Sequence, residues 1–339
     1  MMRGVPTRTV AGTVALGGLV SLGTAPASAQ DAELELYGNF RYSANWAQDD
    51  GGSHWTGANN ASRAGLRGAL EREEWEAFYH LEAGAHVDAQ GAAFSPRFYF
   101  GGVRGPMGSV TVGRHSPEYK MPALQVDPFY DTSTLNVGAN IPVSGVFAGA
   151  SYGLSSLGNG WANRTVLYRT PEYEGFTGSA AVYLDPDGQH DYAGGVTFAA
   201  DGLEAGFRVH ENRSAGGNWT AASGVERAFR GHLLLGDGDW SAGLTLERVE
   251  LLQDASQNLA FASATLRPLE RGRISLAVGR VGSAPGLSLP EGLGIHAGGF
   301  YELMEDAEVF ALFSTASLDD GDDSHAASLG LTVDFGWSP

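Results

Sequence analysis

Apolar and polar residues alternate along most of this chain. Over 34–46, Leu34, Leu36, Phe40, Tyr42 and Trp46 share one parity, while Glu35, Asn39, Arg41, Ser43 and Asn45 share the other. A period of two places these sets on opposite faces, which predicts a strand with one apolar and one wet face. Over 62–70 the same rule sends Ala64, Leu66 and Leu70 one way and Arg63 and Arg67 the other. Over 75–87 it separates Trp75, Ala77, Tyr79 and Leu81 from Glu76, Phe78, His80, Glu82 and His86. The template predicts further strands near 94–104, 108–114, 163–170, 176–184, 190–199, 203–210, 225–235, 240–249, 258–267, 272–281, 292–302, 306–317 and 323–335, sixteen in all.

The links between these segments alternate in length. After every second strand comes a short turn such as Gly105-Pro106-Met107-Gly108, Ala200-Asp201-Gly202 or Gly236-Asp237-Gly238-Asp239, each with turn chemistry. The remaining links are mostly longer and more polar, among them Ala47 to Asn59, Glu211 to Gly224 and Gly282 to Glu291. This is the pattern of an up-and-down meander with all its short turns at one end. A β-sandwich domain also alternates but usually runs near 100 residues. One unbroken meander without linkers instead predicts closure into a barrel, which removes the sheet edges.

Segments of this length bracket the roughly 9–11 residues a tilted strand needs to cross a bilayer. Tyr37, Trp46, Trp75, Phe176, Tyr192, Trp240, Tyr301 and Trp337 lie near strand ends, where aromatic girdles meet the membrane interfaces. The mean hydropathy of −0.14 is then no sign of a soluble protein, because only half of each strand need be apolar when the interior is wet.

Arg3 and Arg8 precede the apolar run Val10 to Leu22, which ends in Ala27-Ser28-Ala29. This predicts a secretory signal over residues 1–29, removed before Gln30, and a single barrel domain over 30–339. Removal leaves 310 residues and moves the formal charge from −18 to −20. So acidic a chain repels polyanions and disfavours nucleic acid as a partner. The absence of Cys excludes thiolate nucleophiles, disulfides and Cys-based metal centres. No uncharged apolar run after Gln30 is long enough for a membrane helix, so any crossing must use strands.

At this point the chain resembles the general porins of Gram-negative outer membranes. The most specific stretch is Asn163-Arg164-Thr165-Val166-Leu167-Tyr168-Arg169-Thr170-Pro171-Glu172-Tyr173-Glu174-Gly175-Phe176-Thr177-Gly178, with Leu36-Tyr37-Gly38 at the start and Gly113-Arg114 leading into a long loop. The resemblance implies an all-β, sixteen-stranded transmembrane barrel, a homotrimer, and a water-filled channel for ions and small hydrophilic solutes. It also implies an aromatic terminus read by the barrel-assembly machinery. Here Phe335 and Trp337 keep the outward parity, but Pro339 ends the chain.

No strong strand pattern appears between Arg114 and Trp161, a pair of strands within 143–153 being the alternative, and a stretch of that length in a compact fold usually has a function. In the family the third external loop folds into the barrel and narrows it, which assigns that role to residues 115–145. Glu118, Asp127 and Asp131 are its carboxylates, and Pro117, Pro122 and Pro128 stiffen it. Opposite it, the wet parity offers Arg41, Arg63, Arg67 and Arg97. An arginine at the lipid midplane costs about 2–4 kcal/mol, which favours the interior. Basic wall and acidic loop together predict a transverse field that orients polar solutes.

Asp49-Asp50, Asp185 with Asp187, and Asp319-Asp320 with Asp322-Asp323 cluster in expected external loops. Hard oxygen ligands of this kind could hold Ca²⁺ or bridge to lipopolysaccharide, though their spacing matches no calcium loop and a solvated acidic rim is the simpler reading. His80 and His86 share a wet face with Glu82 but have no nucleophilic Ser signature beside them, so no enzyme is expected. A substrate-specific channel, or less readily a barrel enzyme, is the alternative. The mature charge predicts a weak to moderate preference for cations.

Overall fold

The computed structural model describes residues 32–49, 52–87, 93–132, 151–214, 218–219, 222, 224–252, 254–287, 289, 291–319 and 323–338. The expected signal over 1–29, the far part of the long loop (133–145), and Asp50, Asp320 and Asp322 lie outside them.

Among the described residues seventeen strands form one closed antiparallel sheet. They are β1 (Ala32–Asp49), β2 (Gly52–Asn59), β3 (Arg63–Arg72), β4 (Trp75–Ala85), β5 (Phe94–Gly105), β6 (Gly108–His115), β7 (Ala162–Arg169), β8 (Phe176–Tyr183) and β9 (Asp191–Ala200). Then come β10 (Leu203–Glu211), β11 (Val225–Gly236), β12 (Trp240–Leu251), β13 (Ser256–Leu269), β14 (Gly272–Val281), β15 (Gly292–Met304), β16 (Ala307–Leu318) and β17 (Asp323–Trp337). From β3 onward each strand pairs with its sequence neighbour, and β1 closes the ring on β17 through the register Leu36↔Trp337 to Gln48↔His325.

The extra strand belongs to an existing crossing. The first half of β1 pairs with β3 and its second half with β2, so β2 and β3 are one strand interrupted at residues 60–62. Between Asn39↔Arg63 and Tyr42↔Asn59, two residues of β1 face three of the partner. That is a β-bulge, with Ala61 at φ 65°. Two of its backbone donors are satisfied locally: Asn60 N–H donates to Arg41 O, and Arg41 N–H to Ser62 Oγ. The expected external loop from Ala47 to Asn59 is thus corrected to a hairpin that prolongs β1 and β2. Its residues escaped the period-two reading because a strand outside the bilayer needs no lipid-facing apolar set.

Burial is inverted relative to a water-soluble protein. On β12, Leu246 is 59% exposed while its neighbour Glu247 is 4% exposed, as expected where lipid covers the outside and polar groups face inward. Leu266, Ile274, Leu276, Val278 and Ile295 continue the exposed apolar surface. Phe335 and Trp337 also face outward, and the Phe335 ring lies so close to Gly38 that a Cβ there would fall 2.1 Å from it. Only glycine leaves room for that ring at the β1–β17 seam.

Part of the interior is filled by the segment between β6 and β7. A 3₁₀ turn (Glu118–Lys120) leads into α1 (Met121–Val126), and a second 3₁₀ turn (Ser156–Gly158) precedes β7. Pro122 suits the first turn of α1, where an N–H would be unsatisfied. Tyr119, Ala123, Val126, Phe129, Leu154 and Leu157 are buried in two apolar clusters with strand residues such as Val249, Phe261, Phe300 and Phe310. At the centre of the contact is a fully buried ion pair, Arg230 with Glu247 at 2.9 Å. Glu247 also accepts from Tyr119 Oη (2.9 Å) and Ser155 Oγ (2.6 Å), and Arg230 donates to Tyr119 O (2.9 Å).

Removing one member of such a pair leaves an uncompensated buried charge, at about 3–5 kcal/mol. Glu247→Ala is therefore expected to lower the thermal unfolding temperature and to enlarge single-channel conductance by releasing the segment. Unchanged conductance in a folded variant would show that the pair does not hold it.

Candidate functional site

The anchoring just described presses the long segment onto β11–β15, which leaves the open part of the lumen along β1–β6. Three cavities run in series there. The first, of about 500 Å³, is lined by Asn60, Arg63, Arg97, Phe98, Lys120 and Asp131 among others. The second, of about 530 Å³, shares Arg63 and Phe98 with the first and adds Tyr37, Arg67, His80 and Glu82. The third, of about 770 Å³, shares Arg67 and His80 with the second and reaches Phe78, Phe100 and Arg104.

Asp131 is the carboxylate that meets the basic wall. Its Oδ2 lies 3.5 Å from Arg41 Nη1 and 3.3 Å from Arg63 Nη1. Asp131 has φ 58°, a left-handed conformation that Asp tolerates better than most residues. The loop is held to this wall by Asn60, whose Nδ2 donates to Thr132 O at 2.9 Å.

Arg97 joins the group through Glu82. Its Nε lies 2.5 Å from Glu82 Oε1, while Arg63 Nε approaches Oε2 at 3.9 Å and Tyr37 Oη donates to Oε2 at 2.7 Å. Strict alternation leaves the direction of Arg97 ambiguous. A register shift places Glu82 opposite Phe98 but Ala83 opposite Pro96, so Arg97 is the extra residue of a bulge that turns it inward.

Other expected members stand apart. Arg67 is 57% exposed and bound to Glu35 through two hydrogen bonds of 2.6 and 2.9 Å. Glu118 pairs with Arg169. Asp127 is buried within the loop, where it accepts from Phe129 N (3.0 Å), Ser151 N (2.7 Å) and Ser151 Oγ (2.9 Å). It ties the two described limbs together instead of facing an arginine. Burial pushes its carboxyl up to about 6 against the pull of those donors. Of the acidic cluster, Asp319 is engaged by Arg280 at 2.6 Å and Asp323 opens β17. Among the described residues no group of three or more His, Asp or Glu side chains is gathered as a metal site.

Sequence reasoning missed Lys120, the single lysine of the chain. It lines the first cavity, with Nζ 4.7 Å from the Trp161 ring and 5.7 Å from that of Tyr130. The Arg97 guanidinium lies 4.5 Å from the same indole, so Trp161 is a shared cation–π platform. Burial lowers the Lys120 ammonium to about 8, with Asp131 opposing and Arg97 and Arg63 adding to the shift. Its solitary occurrence beside three loop prolines was the available signal.

A family model described as "Gram-negative porin" matches residues 12–339. No curated protein matches. Among solved structures, the anion-selective porin from Comamonas acidovorans superposes with TM-score 0.73 at 15% identity, covering 90% of this chain and 100% of that one. OmpT, an outer membrane protein of Vibrio cholerae, gives 0.68 at 14% over 90% and 98%. Salmonella typhi OmpF, solved with daunomycin, gives 0.65 at 14% over 89% and 97%. At these identities the likeness establishes the fold, and the family match carries the rest: the chain belongs to the Gram-negative porins, the outer-membrane β-barrel channels of passive diffusion.

Proposed function

We propose that ions and small hydrophilic solutes cross this barrel along β1–β6 through a narrowing formed by Arg41, Arg63, Arg97 and Lys120 on one side and Asp131 with Glu82 on the other. The observation that carries the reading is the approach of Asp131 to both Arg41 and Arg63, at the boundary where Arg63 lines two successive cavities. Nothing in that arrangement requires chemistry or an energy source, so it acts as a channel and not as an enzyme.

The sign of its ion preference follows from the narrowing. Arg41, Arg63, Arg97 and Lys120 face Asp131, Glu82 and Asp334 there, a surplus of one positive charge, and residues 133–150 contribute no charge. Screening over about 8 Å at physiological salt separates this region from the acidic rim. Local charge therefore outweighs the formal charge of the mature chain, which by itself favours cations, and the proposal is a weak anion preference. The anion selectivity in the name of the Comamonas porin agrees with this.

A homotrimer is part of the proposal. It rests on small outward residues of the first strands, Ala64, Ala77, Ala83 and Ala85, and on the trimer form described for Vibrio cholerae OmpT. The outer faces of β10–β15 would then meet lipid, with lipopolysaccharide at the external rim.

In a salt gradient across a planar bilayer, the reversal potential is expected to lie on the anion side; a clear cation preference would overturn the sign. Arg63→Ser is expected to move it toward cations several times further than Arg67→Ser, because Arg67 lies outside the narrowing and is neutralised by Glu35. Equal shifts would show that the two arginines act alike. Raising the pH from 7 to 9 discharges Lys120, so anion preference is expected to fall over that interval in the native channel and to stay flat in Lys120→Met.

A further inference from the structure

A passage for hydrophilic solutes has no need of aromatic walls, yet this one has a continuous aromatic face. His80 and Phe100 pair across β4 and β5 with ring centroids 5.4 Å apart, and His80 lies 4.9 Å from Phe98. Phe98 meets Phe100 at 5.9 Å, and Phe100 meets His115 of β6 at 4.5 Å. At one end Phe98 reaches Trp161 at 6.4 Å, and Phe78 lines the lower cavity at the other. Rings that serve only packing lie under the long segment, as Phe261 (1% exposed), Phe300 and Phe310 (3% each) do. Phe98, Phe100, Phe78 and His80 instead line the cavities and are only partly buried.

Cations accompany the rings throughout. Arg97 and Lys120 stand over Trp161 at the first cavity, Arg63 borders the second, and the Arg104 guanidinium, which shares its charge with Glu76 at 3.0 Å, lies 5.2 Å from the Phe78 ring in the third. A solute that presents a flat π face and one negative charge can satisfy both features at every level. Its ring exchanges one aromatic neighbour for the next at spacings of 4.5–6.4 Å, and its carboxylate passes between guanidinium groups. An aliphatic anion finds only the charges, and a neutral ring only the aromatics.

We propose that the β4–β6 wall is a binding track for small aromatic carboxylates, with Phe98, shared by the first two cavities, at its centre. This rests on the passage running along β1–β6 as proposed above.

Benzoate and cyclohexanecarboxylate serve as probes because they share charge and approximate size while only benzoate is aromatic. Current through the native channel in potassium chloride is recorded while either anion is added. Benzoate is expected to halve the current at a concentration about three- to tenfold lower than cyclohexanecarboxylate, the range that an aromatic contact adds beyond buried area. In Phe98→Leu and, separately, Phe100→Leu that gap is expected to shrink toward unity, the block in each variant being read as a fraction of that variant's own potassium chloride current. Two variants guard against one failing to fold, and the comparison of probes on the native channel needs neither. Equal block by the two anions, or a gap that survives both substitutions, would overturn the track while leaving the channel reading intact. A folded barrel that carries no current would overturn both.

Discussion

The buried Arg230–Glu247 pair is the interaction on which the arrangement of the lumen depends. An ion pair withdrawn from water is tolerable only when further hydrogen bonds complete it, and here the completing groups come from the long segment: Tyr119 through its hydroxyl and carbonyl, and Ser155 through its hydroxyl. Wall and segment are therefore mutually obligatory. Apolar packing around Val126, Phe129 and Phe261 adds area to a contact whose position the charges have fixed. One side of the barrel is filled as a result, and the groups able to touch a passing solute are confined to the opposite side.

That division gives two interiors within one ring of strands. On β11–β15 the inward side chains behave as a protein core, buried and matched to the segment. On β1–β6 they behave as a solvated surface, with partial exposure, incomplete charge balance and rings that end in open volume. Chemical specificity can reside only in the second, since the first is already occupied.

The strand plan was legible because lipid imposes a strict rule. Wherever the wall meets hydrocarbon, every second residue must be apolar, and the predicted segments fall on the observed strands. Legibility ends where that rule ends. The hairpin extension Gly52–Asn59 lies beyond the membrane and has no apolar face to announce it. Arg97 turns inward through a bulge, which a fixed period of two does not express. Arg41, Arg63 and Asp131 lie together: charge on a wet face suggests the two arginines, and the resemblance to the family's third loop suggests Asp131. Asp127 was assigned to the same group, although its bonds to Ser151 exist only once the loop has folded back on itself. Lys120 and Trp161 become neighbours only when the long segment folds back on itself, Lys120 Nζ donating to Gly160 O at 3.3 Å, so no spacing along the chain could pair them. Glu82 was read beside its histidines, whereas its partners, Arg63 and Arg97, come from the strands on either side.

The separation of the anchoring partners along the chain also imposes an order of events. Tyr119 bonds Glu247 across 128 residues, and the seam joins Leu36 to Trp337. Contacts of such separation form late, because loop-closure entropy must be overcome before they contribute. The docking surface for the segment does not exist until β11 and β12 have paired, and the ring itself waits for the last strand. Until then the growing sheet exposes both an unpaired edge and an unfilled interior. A barrel that sealed its seam ahead of loop docking would be a wide, ungraded hole in the cell's outer barrier. On the proposed reading narrowing is an assembly product, and a lesion at Arg230 or Glu247 would be felt first as loss of the envelope's capacity to exclude large molecules.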